Sequence, residues 1–315
     1  MMAVCVDIGQ RLKAKVRRLN NNCECSGFQM ATKWRPVPGS SINPIMSRTA
    51  AGRTWTLGLV LCLGTVTGGN RALSAETLES AVPKLRYEEP THLAGTVYAR
   101  GSNQPLFKFE RVARRSGATL KVQRNYDYAD GKPAARERVV YEGDALVLFE
   151  LDELQTGGRG SARIRRDANH PEKNRVDFEY AVKSGDRPKT RTEALREDTL
   201  IGDMVGPFLV SHYDTLSRGE KVRCRYIVVP RSETVGFTFV KDSETTWQGR
   251  SVLVVRMKAS SRLIAALVDP LFFTMEENAP HRVVQYIGRT TPKIQVGGKW
   301  KDFDAVTVFD WGSAK

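Results

Sequence analysis

Apolar and polar residues alternate with a period of two along most of the chain beyond residue 100. Phe107 and Phe109 interleave with Lys108 and Glu110, and Leu120 and Val122, then Tyr126 and Tyr128, carry the pattern over a longer run. Ala145, Val147, Phe149 and Leu151 face away from Glu150 and Asp152. The pattern returns at Val176, Phe178, Tyr180 and Val182, at Val222, Cys224, Tyr226 and Val228, and at Leu253, Val255 and Met257. Successive side chains of a strand point to opposite faces, so each run predicts a strand with one dry side. Gly101-Ser102-Asn103, Ser116-Gly117, Asp130-Gly131-Lys132-Pro133, Glu142-Gly143-Asp144, Gly157-Gly158, Ser184-Gly185-Asp186 and Gly249 fall between the runs and supply turn chemistry. This cadence predicts about ten to twelve strands joined by hairpins. So many strands do not stay flat in one open sheet. The predicted fold class is therefore mainly β, a strongly curved antiparallel sheet or partial barrel with one or two short covering helices.

Two stretches leave the strand pattern. From Pro207 to about Arg218, Phe208, Leu209, Tyr213 and Leu216 recur at helical spacing, with Pro207 suited to the first turn and Gly219 ending it. From Ser260 to Leu267, Leu263, Ile264 and Leu267 share a face until Asp269-Pro270 stops the helix. Leu271–Glu276 and Arg282–Gly288 then read as a hairpin around Asn278-Ala279-Pro280-His281, and Ala305–Trp311 as a last strand. Residues 157–174, rich in Gly, Arg and Asp, read as a mobile loop, and residues 76–90 as an extended arm.

The start of the chain is organised differently. After Met46, Arg48 and Arg53 precede an uncharged apolar run from Trp55 to Val66, and Ala72-Leu73-Ser74-Ala75 supplies small residues before Glu76. A positive region, a short apolar region and a small-residue exit describe a secretory signal peptide at 46–75. The run is too short to cross a bilayer as a helix; the competing reading is a buried core helix. A signal peptide belongs at an N-terminus, so residues 1–45 read as a mis-called, disordered extension, the alternative being a genuine basic arm or a metal site at Cys23-Glu24-Cys25. The domain boundaries are then 1–45 extension, 46–75 signal peptide and 76–315 a single β-rich domain.

This division changes the charge picture. The whole chain has a net charge of +14, which by itself suggests a polyanion partner. Residues 76–315 hold 39 Lys/Arg against 33 Asp/Glu, a net of only +6, and no nucleic-acid partner is expected. Cys224 is the one cysteine beyond residue 75, so the domain makes no internal disulfide and must hold itself together by burial. Cys62 follows Leu61 rather than a small residue and continues into the apolar run, which disfavours lipid attachment there.

Candidate chemistry is sparse. His212-Tyr213-Asp214 places a histidine near a carboxylate, but neighbours one and two apart on a helix do not face each other. Cys224 sits on the apolar side of a strand, where a thiol is inert. His92, His170 and His281 are far apart and lack metal-ligand spacing, and no cofactor is expected. Arg111-Arg114-Arg115 and Arg163-Arg165-Arg166 can meet phosphates or form the solvated side of a strand. The bulky residues near the two helical stretches, Phe208, Leu209, Leu263, Leu267, Phe272 and Phe273, are the candidates to line a ligand cavity, with plain core as the competing role.

The segment Leu263-Ile-Ala-Ala-Leu267-Val-Asp-Pro270-Leu-Phe-Phe-Thr, followed by Arg282-Val-Val-Gln-Tyr286-Ile-Gly-Arg, and the earlier Pro207-Phe to Gly219-Glu220-Lys-Val-Arg, resemble a pattern in uncharacterised exported bacterial β-rich proteins over about residues 200–290. More loosely, the architecture is similar to the half-barrels of periplasmic lipoprotein carriers. These resemblances imply a periplasmic protein that binds a lipid or hydrophobic small molecule, or an envelope protein, without catalysis. The alternatives are an integral outer-membrane β-barrel and a periplasmic hydrolase.

Overall fold

The computed structural model describes residues 87–196, 198–261, 265 and 269–312. The expected extension at 1–45, the export segment at 46–75, most of the 76–90 arm and most of the helix expected at 260–267 lie outside the described residues.

The chain opens as a long meander: β1 (His92–Ala99), β2 (Pro105–Ser116), β3 (Thr119–Tyr128), β4 (Pro133–Glu142), β5 (Ala145–Glu153), β6 (Gly158–Arg165), β7 (Arg175–Ala181) and β8 (Lys189–Ala194). A two-residue strand β9 (Thr199–Leu200) and a short 3-10 turn lead into α1 (Val205–Ser211) and α2 (Tyr213–Ser217). A second meander follows: β10 (Val222–Val228), β11 (Glu233–Trp247), β12 (Arg250–Ala259), β13 (Leu271–Glu276) and β14 (Val283–Arg289). The ribbon β15 (Ile294–Val296) and β16 (Lys299–Lys301) precedes the last strand, β17 (Asp304–Asp310). β17 lies between β1 and β14 and fuses the two meanders into one 15-stranded sheet running from β8 at one edge to β9 at the other.

The sheet is not closed by backbone pairing, but it curls until its ends meet through side chains. The amide and hydroxyl of Thr234 on β11 donate to Glu193 on β8 at 2.8 and 2.9 Å. The 3-10 turn Val229–Arg231 packs on β6 and β7. Side chains from both meanders meet in one hydrophobic cluster, including Leu120, Val139, Phe149 and Phe178 from the first and Phe239, Val255, Met257 and Phe273 from the second. The opposite faces carry exposed charges such as Lys108, Glu110, Arg114, Lys121, Arg138, Arg163 and Glu179. The predicted alternation is thus read out as dry inside and wet outside.

Several expectations change. Among the described residues seventeen strands replace the expected ten to twelve. Some of them leave little side-chain signal: β8 is exposed at all positions but one, β16 at all three, and the far half of the long strand β11 is largely exposed. The loop expected at 157–174 begins instead as β6, held by buried Ala162 and Ile164. The single helix expected at 207–218 starts at Val205 and is broken at His212, whose φ of −108° and ψ of 14° leave the helical region. The hairpin after residue 270 and the final strand form as expected.

Gly160 shows how tightly the curled ends meet. A Cβ there would lie 2.6 Å from the Glu179 carbonyl oxygen and 2.6 Å from Val229 Cγ1. Backbone cannot retreat as a side chain can, so Gly160→Ala forces the strands apart. Overpacking of this kind costs about 1–3 kcal/mol. Urea unfolding of the variant is expected to show a lower midpoint with an unchanged slope.

Candidate functional site

The inner face of the sheet is not uniformly apolar. Four ionisable residues interrupt the inward register of the first meander: Arg111 between Phe109 and Ala113, Arg124 between Val122 and Tyr126, Glu137 between Ala135 and Val139, and Glu153 after Leu151. Each has a partner brought from a distant part of the chain or from a neighbouring strand.

Arg111 meets Asp203, the residue in the turn before α1. Its Nε donates to Asp203 Oδ1 at 2.6 Å and its Nη2 to Oδ2 at 3.2 Å, a two-point contact. The remaining guanidinium donors reach the carbonyls of Tyr87 and Pro90. Tyr141 donates its hydroxyl to Asp203 Oδ2 at 2.9 Å, and the Tyr87 ring stacks on Tyr141 with centroids 4.7 Å apart. Side-chain exposure is 6% for Arg111 and 1% for Asp203, so the pair is dry. A buried ion pair is sustainable only when its remaining groups are hydrogen-bonded, and here they are.

Arg124 forms the second centre. Its Nη1 donates to Glu137 Oε2 at 2.6 Å and its Nη2 to the Tyr126 hydroxyl at 3.2 Å, and its guanidinium lies 5.4 Å from the Phe109 ring centroid. Thr291 donates to the other Glu137 oxygen. The third centre is Glu153, which accepts from Lys293 Nζ at 2.5 Å and from the Tyr180 hydroxyl at 3.2 Å. Gln155 exchanges bonds with the backbone of Lys293, at 2.9 and 2.7 Å. The segment after β14 is thereby tied to β4 and β5, and the helical segment to β2 and β4.

The inward side chains Tyr226, Phe237, Leu271 and Tyr286 pack against the core, yet each keeps part of its surface accessible. Tyr226 and Phe237 meet edge to face at 6.1 Å, and Tyr286 packs against Phe273 at 5.0 Å. Gly202 admits Arg124 and Tyr226: a Cβ there would lie 2.7 Å from Arg124 Nη1 and 3.0 Å from the Tyr226 hydroxyl. On the inner face Arg124, Tyr126 and Tyr226 thus make a polar floor next to the aromatic side chains Phe237 and Tyr286. Burial first, and the Glu137 carboxylate second, push the Tyr226 hydroxyl well above its ordinary range. Burial does the same to Tyr126 and Tyr286. Burial alone would lower the Arg124 guanidinium, but Glu137 and its other partners outweigh it and hold the charge. At neutral pH the floor offers phenolic donors and a fixed cation, which suits holding a ligand rather than moving protons.

The cavity candidates divide. Phe208, Leu209 and Phe273 are buried in the main cluster, Phe208 against Phe239 at 5.6 Å and Phe239 against Phe273 at 6.0 Å. Phe272 is half-buried on the neighbouring register of β13. Leu263 and Leu267 lie outside the described residues. The other candidates fall apart as chemistry. His212 Nδ1 is 2.8 Å from the Phe208 carbonyl and 3.0 Å from Ser211 Oγ, while Asp214 is exposed. Tyr213 stacks on His281 with centroids 3.6 Å apart. His92 and His170 are exposed beside Glu110 and Glu172. Burial pushes the Cys224 thiol up to about 12. Among the described residues no group of three His, Cys, Asp or Glu side chains could hold a metal. Of the arginine clusters, Arg111 is buried on Asp203, Arg115 pairs with Glu88 and Arg165 with Asp177, while Arg114 and Arg163 are exposed. The polar floor went unforeseen, although an ionisable residue at an inward position of an alternating run was a visible signal for it.

No protein-family model matches this chain, and no curated protein does. A solved structure described as a beta-barrel-like protein of the domain of unknown function DUF1849 from Brucella abortus is similar over 70% of this chain and 94% of that one. Its sequence identity is 9% and its TM-score 0.41.

Two outcomes follow from the buried groups. Asp203→Ala strands the Arg111 charge in a dry site, which costs about 3–5 kcal/mol; chemical denaturation is expected to register a loss of that size. Six inward tyrosines, Tyr87, Tyr126, Tyr141, Tyr180, Tyr226 and Tyr286, are raised above 10.0. Above pH 10 the unfolded chain ionises them while the folded one keeps its protons, so the unfolded state binds fewer protons and stability falls as pH rises. Each such group steepens the fall by up to about 1.4 kcal/mol per pH unit. Stability measured from pH 8 to 12 is expected to be flat at first and then to drop steeply.

Proposed function

We propose that this chain is an exported, non-catalytic protein of the cell envelope that holds a hydrophobic or lipidic ligand against the partly exposed inward side chains of the sheet. The observation that carries the reading is the set Tyr226, Phe237, Leu271 and Tyr286: inward-facing, packed on the core and still accessible. Apolar walls with a few fixed polar groups are the usual make-up of a small-molecule site. A ligand with an apolar body and a polar end matches these walls and the hydroxyls at their base. The leader-like stretch at 46–75 supports export.

The polarity of the sheet speaks against an integral outer-membrane barrel. Such a barrel turns its apolar residues to lipid and encloses a polar lumen. Here Lys108, Glu110, Arg114, Lys121 and Arg138 face outward, while Val139, Phe149, Phe178 and Phe239 face inward. His212 does not activate Ser211 as a hydrolase nucleophile: the Ser211 hydroxyl donates to the Phe208 carbonyl, and His212 Nδ1 shares that acceptor.

Delipidated protein is expected to enhance the fluorescence of cis-parinaric acid. Tyr226→Ala and Phe237→Ala each should weaken that uptake several-fold, while Val210→Ala, on the exposed side of α1, should leave it unchanged. Absence of uptake by the parent protein sinks the reading.

A further inference from the structure

The two edges of the sheet differ. β9 is two residues long and buried. β8 is six residues long, ends the sheet, and has the burial pattern of a strand open to solvent. Leu195 N donates to the Asn174 carbonyl on the β7 side. Backbone groups alternate in direction along a strand, so Glu193, Arg191 and Lys189 also turn their amides and carbonyls toward β7. Thr190, Thr192 and Ala194 turn theirs outward. Those outward groups have no backbone partner among the described residues. Two open hollows lie nearby: one of about 500 Å³ over β6, β7 and β8, lined by Arg163, Asp177, Glu179, Thr190 and Arg191 among others, and one of about 280 Å³ lined by Glu193, Ala194, Arg196, Arg225 and Thr234.

The charge around this edge is basic on balance: residues 158–198 hold eleven Lys/Arg against eight Asp/Glu. Lys183, Arg187 and Lys189 are exposed and have no ion-pair partner among the described residues. Basic residues on an edge repel other basic edges and so discourage self-pairing. The same charges attract an acidic strand, and selection by repulsion and attraction together is how specific interfaces discriminate.

We propose that β8 is a docking edge for an acidic, extended polypeptide segment of a partner protein, which adds to the sheet as a further antiparallel or parallel strand. Backbone pairing with Thr190, Thr192 and Ala194 supplies affinity, and Lys183, Arg187 and Lys189 select for acidic sequence. This site lies on the outer edge and is independent of the ligand site proposed on the inner face.

The test uses the full chain and a fluorescein-labelled octapeptide that alternates glutamate with valine and threonine, followed by anisotropy. The peptide is expected to bind, more weakly as salt rises, and its lysine-for-glutamate counterpart is not. Thr192→Pro removes an amide that points away from β7, so it leaves the β7 pairing intact and is expected to weaken binding at least about tenfold. Lys189→Glu is expected to weaken it as well, whereas Thr192→Ala should bind like the parent. Hydrogen exchange of the parent protein should slow at Thr190, Thr192 and Ala194 when peptide is added, a readout that stands even where Thr192→Pro fails to fold. No binding by the parent, equal binding by a folded Thr192→Pro variant, or protection confined to other strands overturns the proposal.

Discussion

The contact between Arg111 and Asp203 governs how this sheet is filled. A curled antiparallel sheet has an inner face that must be dry, yet one element entering it, the turn before α1, carries a carboxylate. The charge is tolerated because a guanidinium from β2, the Tyr141 hydroxyl and two backbone carbonyls complete each other's bonding. With Asp203 fixed, Met204, Val205, Phe208 and Leu209 follow it into the core, and α2 brings Leu216 after them. Helix α1 has only seven residues and no side-chain cap, so on its own it would be marginal. Its position is set by the ion pair at its start and the apolar face behind it, not by helical propensity.

Much of this fold was legible in the chain. Phe107/Phe109, Leu120/Val122 and Val176/Phe178/Tyr180 alternate because one face of each strand is buried, and all of them are inward. The same logic explains what was hidden. Lys189–Ala194 and Lys299–Lys301 bury almost nothing, so their strand character comes from backbone pairing alone and leaves no trace in side-chain pattern. The glycine-rich start of β6 reads as loop because Gly158 and Gly160 supply no apolar row. They are glycine because Glu153, Glu179 and Val229 crowd the places where a Cβ would sit. The site was less legible. Arg111 looked like part of a surface basic cluster with Arg114 and Arg115, and only the partner at residue 203, far along the chain, turns it inward.

The three buried polar centres share a design. Each joins the first meander to a connecting segment outside it: Asp203 in the turn before α1, Thr291 and Lys293 after β14. Apolar contacts are non-directional and would permit these segments to slide, whereas a charge in a dry site admits one partner at one distance. The ion pairs therefore set register for connections that have no strand pairing of their own. The tyrosines follow from the same requirement. They fill volume as phenylalanine would, and their hydroxyls meet Asp203, Glu153 and the Arg124 guanidinium.

An incompletely closed sheet must resolve both ends. Here the ends are joined where Glu193 accepts from Thr234, with Val229 seated over Gly160, and they are left apart along Thr190 and Thr192. Backbone closure would have removed the edge altogether and made the barrel rigid around its contents. Closure rests instead on side chains: Glu193 with Thr234, Arg191 with Glu233, and Val229 packed over Gly160. It also leaves a strand whose outward amides must remain in water or find a partner. Lys183, Arg187 and Lys189 fit that position: an edge that stays open needs a surface that rejects its own kind, and exposed basic residues beside it provide one without disturbing the dry face on which the fold rests.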